Sequence, residues 1–342
     1  MELAGAGVPL VETTRGDRVE SVHLGVVSVV DALGRPHWSA GDAALVTFPR
    51  SSLKPLQLLA LVARGGIEHF GLLPDELAVM AGSHGGEPAH VERVLSILDK
   101  IDAPSTALAC GAQTPLDPTA AANLAGAGGM PTAVHNNCSG KHAGMLALAR
   151  LLGASLDNYI APDHPAQVAI RDCVLEVLGL DETQVSIGID GCSAPAYALP
   201  LHSMARGFAL LGNPAHAPQG FASGLRKIGD AMRAFPEIVG ASRGRVDTGL
   251  MRLGAGLVAK SGAEGYFCVG HAAGSGLALK ILDGDAGGRA RNLAIVMAVH
   301  RAGWIDDHHL AGPLTAFAPR VAIHNLAGRH TGDVRPAAAL VR

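Results

Sequence analysis

Strand-like alternation lies at both ends of this chain, and helical spacing fills its middle. Residues 19–30, Val-Glu-Ser-Val-His-Leu-Gly-Val-Val-Ser-Val-Val, are rich in valine and partly alternate, and Asp31-Ala-Leu-Gly34 follows with turn residues. Residues 43–48 read as another short strand, so the chain opens as a β-meander. A helix is predicted from Ser51 or Ser52 through Leu56, Leu58, Leu59 and Leu61 to about Ala63, where Gly65-Gly66 ends it. Helical patterns follow over 75–81, 88–100, 141–152, 164–178, 199–212 and 219–234. Strand patterns return at 185–190, 265–271 and 276–282, and a further helix is expected over 287–302. Between about 104 and 140 the chain carries almost no charge and much Gly, Pro, Ala and Asn, which predicts a long loop of the kind that is often functional.

This order predicts an α+β fold: one antiparallel sheet, built from the N- and C-terminal segments and covered by helices. No linker, repeat or low-complexity tract divides the chain. The expectation is a single catalytic domain over 1–342, in which residues from about 55 to 240 could form a helical subregion.

Composition narrows the function classes. With 342 residues, 48% of them hydrophobic and 17% charged, the chain can bury a sizeable core. A net charge of −3 and the lack of any Lys/Arg run argue against a nucleic-acid partner. No uninterrupted apolar run is long enough to cross a bilayer, so no membrane partner is expected. The N-terminus lacks a basic region and carries an early acid, which does not read as a signal peptide. The five cysteines, at 110, 138, 173, 192 and 268, are an odd number and cannot all pair in disulfides. A reducing, cytoplasmic location is the expectation.

The chemistry-bearing segments begin at Arg50-Ser51-Ser52-Leu53-Lys54, a Ser-x-x-Lys, and at Lys260-Ser261-Gly262. Together these make an acyl-serine signature. On a helix Lys54 shares a face with Ser51, the helix start favours an alkoxide, and burial lowers a lysine pKa until the amine can serve as a base. The plain alternative is a serine N-cap beside a solvated lysine, with Lys260 on a surface hairpin. Ser83 lies in Gly82-Ser83-His84-Gly85-Gly86, where glycines permit close backbone approach. His84 is a candidate for substrate contact there, although a hydrogen-bonded structural histidine is the plainer reading. Cys138 and Cys192 sit at element junctions, in His135-Asn136-Asn137-Cys138-Ser139-Gly140-Lys141-His142 and Asp190-Gly191-Cys192. They point to a metal or a reactive thiol, and no C-x-x-C or H-E-x-x-H spacing decides between these. Cys110, Cys173 and Cys268 read as buried inert thiols.

Taken in order, these segments resemble the rhizobial-type (thermolabile, asparaginase II) L-asparaginases. The matching stretches begin at Val11-Glu12-Thr13-Thr14-Arg15-Gly16 and Phe48-Pro49-Arg50-Ser51-Ser52-Leu53-Lys54-Pro55, and include the Ser83, Cys138 and Cys192 segments. They end at Lys260-Ser261-Gly262-Ala263-Glu264-Gly265, and the final 20 residues carry little of the likeness. The resemblance implies hydrolysis of L-asparagine to L-aspartate and ammonia, a fold similar to serine β-lactamases, penicillin-binding proteins and bacterial glutaminases, and a homodimer. It implies two Ser–Lys pairs, Ser51 with Lys54 and Ser83 with Lys260, and a zinc ion on Cys138, Lys141 and Cys192. Ser51 is then the first choice of nucleophile, with Ser83 and Lys260 relaying protons. Arg50, Asn136 and Asn137 are candidates for holding the charged α-groups of the substrate. Three alternatives stand beside this. One is a glutaminase- or β-lactamase-like acyl-serine hydrolase, another a non-catalytic zinc-binding scaffold, and the third a cysteine hydrolase using Cys138 or Cys192.

Overall fold

The computed structural model describes residues 3–341. Met1 and Glu2, which begin the segment read above as no signal peptide, and Arg342 lie outside the described residues. The chain divides into two compact units. One comprises the residues up to 52, 199–213 and those from 249 onward, and the other 53–198 and 214–248. Both helix and antiparallel sheet are present, so the fold class is α+β as expected.

The first unit is built on an eight-stranded sheet. Its strands are β1 (Val8–Arg15), β2 (Arg18–Asp31), β3 (Pro36–Ala40), β4 (Leu257–Ser261), β5 (Tyr266–His271), β6 (Ser275–Ile281), β7 (Val321–His324) and β8 (His330–Pro336). The order across the sheet is β7-β8-β1-β2-β6-β5-β4, with β3 also pairing to β2. Every pairing is antiparallel. The expected meander is the succession β1-β2-β3, although the strand read over 43–48 is only Val46–Thr47, paired to Pro200 and Leu199. β1, β3, β7 and β8 did not show in the hydrophobic pattern, whereas the apolar run Leu257-Val258-Ala259 before Lys260 did suggest a strand edge at β4. All five residues of β4 are buried, so nothing alternates along it.

The helices Leu201–Gly212 and Arg289–Arg301 pack on this sheet. Gly270 and Gly276 are cross-strand partners and let the first of them settle closely. A Cβ at Gly270 would lie 2.0 Å from Phe208 O, and one at Gly276 1.9 Å from Ala205 O. Only a residue without a side chain fits either position.

The second unit is mainly helical. Its main helices are α1 (Lys54–Val62), α2 (Pro74–Ala81), α3 (Pro88–Lys100), α4 (Ser139–Leu151), α5 (Pro165–Leu178) and α6 (Ala222–Ala234). Each falls where helical spacing was read, within three residues at either end. All nine residues of α1 are buried, and it packs against α2, α4, α5 and α6. A helix apolar on every side is stable only when surrounded in this way. Leu56 and Leu59 are fully buried, each worth about 1.5–3 kcal/mol relative to exposure. The nearly uncharged stretch 104–140 is less irregular than expected, because Pro118–Gly126 forms a helix capped by Asp117, whose carboxylate accepts from the Ala120 N–H at 2.7 Å. Its Ala-rich sequence has high helix propensity but no amphipathic stripe to betray it.

Candidate active site

Lys54 opens α1, with Pro55 behind it in a position where a missing N–H costs nothing. Because α1 is enclosed on all sides, its first lysine is carried inside and is 1% exposed. Its Nζ contacts Gly82 O at 2.7 Å, Ser83 Oγ at 2.8 Å and Asn137 O at 3.2 Å. An ammonium would donate to all three. A neutral amine would donate to the two carbonyls and present its lone pair to the serine hydroxyl. Burial lowers the pKa of Lys54, and the charge of Lys141 acts the same way, while Cys138 and Cys192 oppose both.

Ser83 follows α2 in an extended turn. Its N–H donates to Val239 O at 2.8 Å, and Gly85 N–H donates to Gly240 O at 2.9 Å. Gly82 is required here, since a Cβ would stand 2.8 Å from Val239 O. Ser83 is itself buried. Arg245 reaches the Ser83 carbonyl through Nη1 at 3.4 Å and pairs with the fully buried Asp247 at 3.0 Å. Nothing in the sequence marked Arg245, which lies in a short Ser-Arg-Gly-Arg run between helices.

Behind the Lys54–Ser83 contact lies a sulfur and nitrogen cluster. Cys138 directly precedes α4, at the helix end that favours negative charge. A hydrogen bond from the Cys192 thiol, followed by the nearby Lys54 and Lys141, holds its pKa well below the ordinary thiol value against the opposing effect of burial. The same bond and burial push Cys192 upward. Lys141 Nζ lies 2.9 Å from Cys192 Sγ and 3.5 Å from Asp190 Oδ2. Burial disfavours the charge of Lys141, but the two cysteines and Asp190 outweigh it and raise its pKa. The two sulfurs and the Lys141 nitrogen gather here, with Asp190 beside the lysine, and these sulfur and nitrogen donors would suit zinc once the lysine gave up its proton. Among the described residues no three His, Cys, Asp or Glu side chains come together as a metal site. A zinc ion here would need Lys141 as a ligand.

The remaining candidates sort differently. His84 is fully buried, with Nδ1 accepting from the Gly86 N–H at 3.2 Å and Nε2 bonded to Ser139 Oγ at 2.9 Å. Ser139 Oγ donates onward to Val134 O, so the ring is neutral with its proton on Nε2. Both nitrogens of His84 are thus bonded within the protein, one to the Gly86 N–H and one to Ser139. Asn136 is also a loop staple. Its Nδ2 donates to Cys110 O and Gly111 O, and its Oδ1 accepts from the Cys138 N–H. Asn137 gives its carbonyl to Lys54 and takes Gln113 Oε1 on its N–H.

In the first unit, Ser51 and Arg50 are half-buried, and Arg50 has a left-handed φ of 51°. Lys260 is fully buried on β4 opposite Cys268 and donates to Ser261 O at 2.7 Å. Its own carbonyl accepts from Ser52 Oγ at 2.9 Å. Lys260 is therefore a core lysine and not the surface hairpin residue of the plain alternative. Lys54, the residue expected to serve Ser51, is bonded to Ser83.

The family model for L-asparaginase II matches residues 11–336. The chain belongs to the L-asparaginase II family. The match ends with β8 at residue 336, so it takes in part of the C-terminal segment that carried little of the likeness, and residues 337–342 lie beyond it. No curated protein matches the chain. Among the described residues, no helix is long and apolar enough to cross a membrane.

Proposed function

We propose that this chain hydrolyses L-asparagine to L-aspartate and ammonia through an acyl-serine intermediate, with Lys54 as the base. The observation that carries this reading is the Lys54 nitrogen, which spends two N–H groups on carbonyls and turns its third position to a serine hydroxyl. A buried amine in that setting can take the hydroxyl proton as the oxygen attacks the side-chain amide carbon. The tetrahedral intermediate then collapses, its C–N bond breaks, and the proton leaves with ammonia. Water attacks the ester, its proton passes to the same amine, and aspartate is released with the serine restored. Backbone N–H groups at the start of α1 are the proposed oxyanion donors.

Ser83 is the hydroxyl in contact with Lys54. Ser51, the first choice on sequence, and Lys260 enter the proposal from the resemblance. Arg245, ion-paired with Asp247, is the proposed N–H donor beside Ser83 for the substrate carboxylate. Zinc, held by Cys138, Lys141 and Cys192, would supply a local positive charge. These three residues would fix the loop before α4 to the segment 190–192.

The test is ammonia release from L-asparagine, L-glutamine and a chromogenic β-lactam, with Lys54→Met, Ser83→Ala and Ser51→Ala beside the parent. Asparagine turnover that is lost in Lys54→Met supports the reading. Full activity in that variant sinks it. Mass spectrometry of acid-quenched protein shows which serine variant still accumulates the acyl adduct. Preference for glutamine or the lactam would move the chain to the neighbouring hydrolase class.

A further inference from the structure

The first unit holds a cavity of about 500 Å³. Both tryptophans of the chain line it, Trp38 and Trp304, together with Arg301, Ser275 and His37. That volume is in the range of small-molecule sites, and the mixture of aromatic wall and few polar groups is typical of them. Among the described residues, no carboxylate lines it.

The walls are fixed before any ligand arrives. Trp38 stands on β3 opposite Val29, so the sheet register sets its position. Arg301 ends the helix Arg289–Arg301, and its guanidinium lies over the Trp38 ring, 4.7 Å from the centroid. Its Nη1 also donates to Val341 O. Trp304 follows in a tight turn in which Gly303 has a φ of 79° and the Trp304 N–H donates to Val299 O at 3.2 Å. The far face of the turn is braced by His271, whose ring lies parallel to Trp304 at 5.3 Å. Half-buried indoles held this rigidly have little ordering entropy left to lose on binding.

We propose that this cavity binds a planar aromatic anion, its ring held by the indoles of Trp38 and Trp304 and its carboxylate or phosphate meeting Arg301. A stacked guanidinium keeps its charge and its planar fork, which suit either oxyanion. Ser275 and His37 provide further hydrogen-bonding groups in the lining. None of these residues belongs to the site around Lys54, so the inference does not depend on the proposed reaction.

The experiment is a titration of the full chain followed by tryptophan emission and by calorimetry. The probes are benzoate and AMP, with benzyl alcohol and adenosine as their neutral counterparts. Because both tryptophans stand at the cavity, occupation changes the emission directly. Saturable binding of benzoate assigns a carboxylate source, and that of AMP a phosphate source. In either case the neutral counterpart and the Arg301→Gln protein bind about tenfold more weakly. Trp38→Leu weakens binding by a similar factor while Trp304 still reports it, which covers any disturbance that Arg301→Gln causes at Val341. The proposal is overturned if neither anion saturates, if the neutral compounds bind as tightly, or if both variants bind like the parent.

Discussion

Lys54 Nζ and Ser83 Oγ lie 2.8 Å apart, inside a unit where both side chains are buried. Removing the amine removes the base, and general-base catalysis is typically worth about 10²–10⁴ in rate. Lys54→Met is therefore expected to lower kcat for ammonia release by that factor while far-UV circular dichroism stays unchanged. Lys54→Arg should not restore it, since a guanidinium does not deprotonate.

The direction of the Lys54 shift fixes a pH profile. Its amine must be neutral to accept a proton, and burial places that transition below the ordinary lysine value of 10.5. Activity should therefore rise with pH along a limb lying below that of a free lysine. A kcat/KM profile whose rising limb sits at the ordinary lysine value would contradict the assignment.

Removing Cys192 takes away the hydrogen bond that comes first in holding Cys138 as a thiolate. Cys192→Ala should raise the Cys138 pKa, read as a shift of the ultraviolet thiolate transition to higher pH. If the cluster holds zinc, Lys141→Met should lose it on dialysis where the parent keeps it. Elemental analysis of both proteins checks this.

His84, His90 and His142 predict acid sensitivity. All three have folded pKa values below 6.5, chiefly through burial. His84 and His90 each accept a backbone N–H at Nδ1, His90 from Glu87, and His142 Nδ1 shares a hydrogen bond with the Tyr159 hydroxyl. A histidine whose folded pKa is depressed stays neutral while its unfolded form takes a proton. Stability is therefore complete above about 6.5 and falls below it, by up to about 1.4 kcal/mol per pH unit for each ring until its folded pKa is reached. Tm measured from pH 7 downward should drop, and His142→Gln should flatten the slope.

Gly276→Ala tests the sheet–helix packing. The new methyl would meet Ala205 O and Ala209 N, and both are backbone atoms. A loss of at least about 1–3 kcal/mol is expected in denaturant unfolding, whereas alanine at the unobstructed Gly287 should leave the midpoint nearly unchanged.

Much of the architecture was legible because amphipathic spacing marks helices such as α3, which was read over its observed residues. β8 was not, since it carries His, Thr, Gly and Asp in place of an apolar run. The candidate chemistry was legible as a residue list. Cys138, Lys141 and Cys192 do gather, although the hydrogen-bonded pair Lys141 and Cys192 is 51 residues apart in sequence. The partner of Lys54 was not legible: helical periodicity relates Ser51 to Lys54, but only tertiary packing brings in a residue 29 positions away. The two hydrogen bonds of His84 were not legible either, because a loop histidine next to a serine looks the same in sequence whether it faces outward or braces the backbone.

One nitrogen atom joins the start of α1, the turn after α2 and the loop before α4. The reactive amine is thus also a rivet among three stretches of chain, and loosening any of them would unseat it. Heat inactivation should consequently track the melting of this unit, with no stage at which the helices are gone and turnover survives.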